Sequence, residues 1–452
     1  MVRYWVVSIF ILALSGSLNL NAQTSDTFDP SGYWTGAIIK NDSILPIELE
    51  VSSTQDGFQA RTTFPDWIFY RPFGYENVIR TQKGLIIEDL LSGDAVLELE
   101  TRFEQLIGTV GDDGRRLHLK RAPAPPRSLV ASVETSFISA DGTRISGTLT
   151  YPEFGDNLSG MVMVRGRGCA TRLNGRAQFL ANYGMAVLTF DKRGAGQSEG
   201  DCETFTFEEL TEDAIAAFEH LASQPKVDAE RVGFFGESAG AWTIQAAAER
   251  QRQDGGQFQP AFLITWIGPS TSIIQQQISS AETYGESVGL SKERQELLAQ
   301  VSRIIVDTSL SDDEAYHRLA EIRRKAEAEG WLEQGFGGDD IPQTREDMSK
   351  LWLRRFSYDP ANFLQNMEDL PYLAVFGAKD TIVPIAENVQ ALKNTGLDVE
   401  IVILEESGHG YDFSEQMIDL PSGRAFWLYE GPDTGFTIET LDFLRRRGFL
   451  LR

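Results

Sequence analysis

The chain has 452 residues, 42% of them hydrophobic and 10% aromatic, which is enough for more than one packed core. Lys and Arg total 41 against 66 Asp and Glu, a formal net charge of −25 that repels phosphate backbones and anionic lipid heads. Nucleic acid is therefore a poor partner, and the acidity reads first as a solvated surface.

Residues 1–22 have the plan of an export signal: Arg3 supplies the positive start, residues 4–14 an apolar core, and Leu20-Asn21-Ala22 a place for cleavage. That apolar run is well short of the roughly 20 residues a spanning helix needs, so a retained anchor is the weaker reading. No other segment has the composition of a membrane span. No cysteine follows the apolar core, so lipid attachment at a new terminus is not indicated.

Between 24 and 122 the pattern is short alternating runs at 32–39, 45–51, 57–63, 85–89, 95–103, 105–110 and 116–120, with Asp112-Asp113-Gly114 as a turn. Period-two alternation of this kind predicts a β-meander closing into a small sandwich or barrel. Trp34 reads as a core residue of it, and Gly32-Tyr33-Trp34 resembles the opening strand of lipocalin-like barrels. Residues 123–128, with Pro123, Pro125 and Pro126, then read as a semi-rigid linker.

From 129 to 452 strands alternate with helices. Runs 129–139 and 143–151 flank Ala140-Asp141-Gly142 as an antiparallel pair, and unbroken apolar runs follow at 161–164, 185–190, 232–235, 262–267, 372–376 and 399–404. Strands without alternation are those of a parallel sheet covered on both faces, so the expected fold is α/β, a doubly wound, mostly parallel sheet. Leu210, Ala214, Ala217, Phe218 and Leu221 form one stripe of a helix. The stretch from about 270 to 370 has helical periodicity instead, with Ser291 and Ser311 as caps, and reads as a helical cap inserted over the sheet. Within it, 335–338 is glycine-rich enough for a lid.

Gly236-Glu237-Ser238-Ala239-Gly240 lies between the apolar run Val232-Gly233-Phe234-Phe235 and an alanine-rich helix, which is the strand, tight turn and helix of a nucleophile elbow. Ser238 is thus the candidate nucleophile. A serine needs a base, and the chain has four histidines. His118, His220 and His317 read as solvated, whereas His409 follows the last parallel strand, where such folds gather their catalytic groups. Asp380, after the preceding strand, is placed to orient His409; Glu405, Glu406 and Asp412 are rivals without that strand-end placement. The backbone N–H groups of Ala239 and of Arg167, in Arg165-Gly166-Arg167-Gly168, are the expected oxyanion donors.

The span from residue 129 onward resembles the α/β-hydrolase family, and within it the exported bacterial serine hydrolases related to serine aminopeptidases and dienelactone-hydrolase-like esterases. The resemblance is carried by the elbow, by Asp191-Lys192-Arg193-Gly194-Ala195-Gly196-Gln197-Ser198, by Gly377-Ala378-Lys379-Asp380 and by Gly408-His409. It implies acyl hydrolysis through an acyl-enzyme, and Glu237 beside the serine is similar to carboxylesterase elbows. Arg165 departs from the histidine or small residue common there.

The expected activity is hydrolysis of a small-molecule carboxylic ester. A peptidase of the prolyl aminopeptidase or dipeptidyl peptidase type, acting on short peptides, is the alternative, and a binding protein on a hydrolase scaffold is a third reading. No cofactor is called for, and no cluster of His, Cys and carboxylates suggests a metal. The sequence is silent on oligomeric state. Arg165, Arg167 and Glu237 are candidate substrate contacts, Arg165 and Arg167 for an anionic ester, with internal pairing to Glu237 or Asp191 as the plainer role. Cys169 and Cys202, the only cysteines, fall on loops at one edge of the sheet and form a candidate disulfide in an exported protein.

Overall fold

The structure is a computed structural model that describes residues 28–450 apart from 41–42, 56, 65–74, 91–92, 101–103, 113, 125–128, 254, 336–340, 368, 396, 411–416, 420–424 and 428–432. The export signal, most of the linker, most of the glycine-rich 335–338 segment and Asp412 lie outside the described residues.

Among the described residues eight antiparallel strands close into a meander barrel: β1 (Gly32–Lys40), β2 (Ser43–Ser53), β3 (Phe58–Thr63), β4 (Tyr75–Arg80), β5 (Gly84–Ile87), β6 (Ala95–Glu100), β7 (Gln105–Val110) and β8 (Arg115–Ala122). Strand β1 closes on β8 with Trp34 opposite Arg121. Alternation sends Leu45, Ile47, Leu49 and Val51 inward, and together with Trp34 they fill the interior as a packed core. The Trp34 indole N–H donates to the Pro30 carbonyl at 2.9 Å, and the Arg121 guanidinium lies 4.4 Å from its ring centroid. Strand β4 escaped the sequence reading because its apolar residues are adjacent: Val78 points in and Ile79 out.

The second sheet has the order β16-β15-β14-β13-β11-β12-β10-β9. Strands β9 (Val130–Ile138) and β10 (Arg144–Pro152) are antiparallel at one edge. Strands β11 (Leu158–Val164), β12 (Met185–Phe190), β13 (Val227–Glu237), β14 (Leu263–Trp266), β15 (Tyr372–Gly377) and β16 (Val399–Leu404) run parallel. Alternate residues of β11 explain the unbroken apolar run. Val162 and Val164 join the core under α2 (Phe207–Ala222) and α3 (Gly240–Gln253), while Met161 and Met163 join the core under α1 (Asn174–Asn182) and the C-terminal helix Gly435–Arg446. Helices therefore cover both faces, the doubly wound arrangement.

His220 corrects one expectation. Rather than being solvated, it is half-buried on α2, with Nε2 2.8 Å from Thr135 Oγ1 of β9 and its ring 5.6 Å from that of Phe137. Burial pushes its pKa down.

The insertion is helical: α4 (Ile273–Ser287), α5 (Lys292–Val306) and α6 (Asp312–Ala328). Ser291 caps α5, and Ser311 forms a capping box with Glu314 on α6. Leu298, Val301 and Ile304 of α5 pack with Leu319 of α6 and Trp331 in a core of the cap's own, separate from both cores of the sheet.

Candidate active site

Strand β13 ends at Glu237, the chain turns sharply at Ser238, and α3 begins at Gly240. Ser238 sits at φ +49°, a conformation unfavourable for a residue with a Cβ, and the surrounding ladder enforces it: Ser238 N–H donates to Trp266 carbonyl at 3.0 Å, and Ala241 N–H to Ser238 carbonyl at 2.9 Å. The two elbow glycines are required by close approach rather than by φ. A Cβ on Gly240 would lie 2.6 Å from the Val164 carbonyl oxygen, and one on Gly236 would lie 2.8 Å from the Gly240 carbonyl.

Ser238 Oγ is 3.0 Å from His409 Nε2, and His409 Nδ1 is 2.9 and 3.1 Å from the two carboxylate oxygens of Asp380. Asp380 is on the loop after β15 and His409 on the loop after β16, so 171 residues of separation between serine and histidine collapse at one sheet edge. Asp380 is almost wholly buried, and its Oδ1 accepts 2.8 Å hydrogen bonds from both Ile382 N–H and Val383 N–H, which fix its orientation toward the imidazole. Lys379 and Glu406 form an ion pair that ties the two loops together. Of the rival carboxylates, Glu405 is exposed and Glu406 is taken by that pair.

The loop after β11 lies against the elbow. A Cβ on Gly166 would be 3.2 Å from Ser238 Cβ, a tight contact that would push this loop or Ser238 aside by a few tenths of an ångström. Arg167 and Ala239 line one cavity with Ser238 and His409. Lys192, just past β12, donates from Nζ to the Gly166 carbonyl, while its own N–H donates to Ala170 carbonyl at 3.1 Å. Burial, with the nearby Arg165 charge adding to it, pushes the Lys192 ammonium down to about 8, against the opposing pull of Glu237 and Asp213.

Arg165, a candidate substrate contact whose plainer role is pairing with Glu237 or Asp191, lies against Glu237 behind the elbow. Arg165 Nε lies 2.6 Å from Glu237 Oε1, and the buried Arg176 of α1 donates to Glu237 Oε2. Neither Arg165 nor Glu237 lines the large cavity, because a carboxylate this deeply buried needs cationic partners of its own. Arg176 was not singled out in the sequence. Its signal was there: it falls four residues before Leu180 on the buried stripe of α1, where an arginine demands a carboxylate. Asp191 is likewise engaged elsewhere, with Arg172 Nη1 at 3.0 Å.

Cys169 and Cys202 are joined in a disulfide with a Cα separation of 5.3 Å and a sequence separation of 33. It links the loop after β11 to the loop after β12, two segments whose Gly168 and Cys202 line the same cavity. The loop-closure model gives about 3 to 4 kcal/mol for a link of this span. The double variant Cys169→Ser/Cys202→Ser should show that loss in denaturant unfolding, and the unreduced, denatured wild type should titrate no free thiol. A doubly substituted protein as stable as the wild type contradicts the assignment.

The cavity above Ser238 has a volume of about 1020 Å³ and is roofed by the cap, with Leu298, Val301 and Ile305 of α5 and Trp352 and Phe356 among its apolar walls. Among the described residues no group of His, Cys, Asp and Glu has the arrangement of a metal site.

The profile of the family described as serine aminopeptidase, S33, matches residues 161–328, which run from β11 through the elbow into the cap. Parallel order, elbow and profile agree. The unit from β9 onward has the α/β-hydrolase fold. Over 123 residues it is 32% identical to the thiohydrolase aneE of Aspergillus aculeatus, covering 26% of this chain and 38% of that protein. Over 77 residues it is 37% identical to an uncharacterized 31.7 kDa protein of the traX-finO intergenic region of Escherichia coli, covering 17% of this chain and 27% of that one. The chain thus spans well under half the length of these curated relatives. Solved structures similar to it include the acetyl xylan esterase of Paenibacillus sp. R4, at 16% identity and TM-score 0.41 over 73% of this chain and 87% of that one. They also include an esterase of Pyrococcus furiosus, at 15% identity and TM-score 0.43 over 71% and 97%. The α/β-hydrolase GrgF of Penicillium sp. sh18 matches at 20% identity and TM-score 0.42 over 70% and 99%.

Proposed function

We propose that this protein is an exported serine hydrolase of carboxylic esters. The observation that carries the reading is the chain of contacts Ser238 Oγ, His409 Nε2, His409 Nδ1 and Asp380, at 3.0 and 2.9 Å, opening into a large, partly apolar cavity. His409 removes the proton of Ser238 as the hydroxyl attacks the acyl carbon, and Asp380 holds the imidazole in the tautomer with the proton on Nδ1 and stabilises the imidazolium. The backbone N–H groups of Ala239 and Arg167 receive the oxyanion. His409 returns the proton to the departing alcohol, then activates the water that frees the acyl group from Ser238.

An aminopeptidase binds its substrate's free amine, which calls for an unengaged carboxylate in the cavity. Among the described residues two carboxylates line it, and both are engaged: Glu203 lies 3.3 Å from Lys350 Nζ, and Asp347 accepts at 2.8 Å from both Thr344 N–H and Thr344 Oγ1. This favours the ester over the peptide. Triad geometry of this kind also argues against a binding protein on a retired scaffold. Export is supported by the sequence of residues 1–22 and by the disulfide. No described helix is long and apolar enough to cross a membrane.

A fluorophosphonate probe tests the mechanism directly. Peptide mapping should place a single adduct on Ser238, and prior incubation with an ester substrate should slow labelling. An adduct elsewhere, or none on folded protein, rejects Ser238 as the nucleophile.

A further inference from the structure

The cations of the cavity are unevenly compensated. Lys350 has Glu203, but Arg167, Lys192 and Arg355 have no carboxylate within ion-pair distance among the described residues. Lys192 is held by the Gly166 carbonyl, and Arg355 donates to the carbonyls of Phe205 at 3.1 Å and of Ser349 and Glu203, each at 2.5 Å. Backbone oxygens accept from both without neutralising their charge. Arg167 is exposed to the cavity, with its guanidinium 5.9 Å from the Trp352 ring centroid and no hydrogen-bond partner among the described residues. The described lining carries four cations, Arg167, Lys192, Lys350 and Arg355, against two carboxylates, Glu203 and Asp347, a net positive field around Ser238 in a chain of net charge −25.

We propose that the substrate is an ester bearing a carboxylate close to its scissile bond, held by the Arg167 guanidinium while the apolar remainder of the molecule fills the cap. The inference rests on the esterase reading above. A guanidinium and a carboxylate match as two parallel N–H···O bonds, so Arg167 both attracts the ester and fixes its approach to Ser238. Lys192 and Arg355, which already donate to backbone carbonyls, add to the positive field around that carboxylate.

The test compares two esters matched in length: the mono-4-nitrophenyl ester of glutarate, which ends in a carboxylate, and 4-nitrophenyl valerate, which ends in a methyl. Wild-type enzyme at low salt should favour the glutarate ester in kcat/KM by about tenfold or more, and rising NaCl should erode that preference while sparing the valerate rate. Arg167→Gln should lower the ratio by a similar factor, chiefly through KM for the anionic ester, and Arg167→Lys should recover part of it. Free glutarate should inhibit valerate hydrolysis competitively, a measurement that needs only the wild type. A wild-type ratio at or below one, a ratio unchanged in Arg167→Gln, or no inhibition by glutarate overturns the proposal while leaving the esterase reading intact. Hydrolysis of neither ester overturns both.

Discussion

Ser238→Ala should lower kcat for an activated ester by about 10⁴- to 10⁶-fold while circular dichroism and the unfolding midpoint stay at wild-type values. Ser238 lies in a turn outside the apolar cores, and alanine meets the same φ of +49° that the surrounding hydrogen bonds already impose. His409→Ala should cost a similar factor. Asp380→Asn is the more discriminating variant. The Ile382 and Val383 N–H groups hold the Oδ1 position, so the amide NH₂ is directed at His409 Nδ1. That forces the proton onto Nε2, the nitrogen facing Ser238, and the loss should approach about 10⁴-fold in kcat. Steady-state kinetics on purified, folded variants decide the matter, and near-native turnover by Ser238→Ala would sink the mechanism.

The second large effect is on stability and belongs to Glu237. Its carboxylate is enclosed between Arg176, itself about 6% exposed, and Arg165, about 30% exposed. Glu237→Gln removes the charge and leaves the Arg176 guanidinium buried beside the rings of Phe235 and Trp266 without its anion. Breaking such a pair from one side costs about 3 to 5 kcal/mol, or roughly 4 to 7 °C in Tm for a domain of this size. Replacing both partners with apolar residues, in Glu237→Leu/Arg176→Met, should restore most of that stability. It should not restore activity, because Arg165 and the oxyanion loop lose the carboxylate that ties them to the end of β13. Differential scanning calorimetry with parallel kinetics separates the two effects. An unchanged Tm in Glu237→Gln would show that the buried pair contributes nothing.

What could be read in the sequence was what is local. Ser238 announced itself because an elbow is written in five consecutive residues between a strand and a helix, and Asp380 and His409 because each directly follows an apolar run. The structure brings these three within hydrogen-bond reach. Partners without a local signature stayed hidden. Arg176 finds Glu237 61 residues further on, and Arg355 of the cap reaches back about 150 residues to the carbonyls of Phe205 and Glu203. Arg165 and Arg167, two residues apart in sequence, were read alike. The fold assigns them opposite settings, one sealed against Glu237 and the other open to the cavity. His220 went astray for the same reason: an amphipathic stripe describes a helix against one neighbour, and Thr135 and Phe137 of β9 come at α2 from its flank.

The cap is held together by Leu298, Val301, Ile304, Leu319 and Trp331, none of which belongs to the cores that flank the sheet. Chemistry and selectivity are therefore inherited on different terms. Mutations in α5 and α6 can reshape the chamber above Ser238 without disturbing β13, β15 or β16, whose ends hold the proposed reacting groups. Under the proposed function, a lineage carrying this scaffold is free to try new acyl groups at little risk to turnover itself, and directed evolution of substrate range should begin on those two helices.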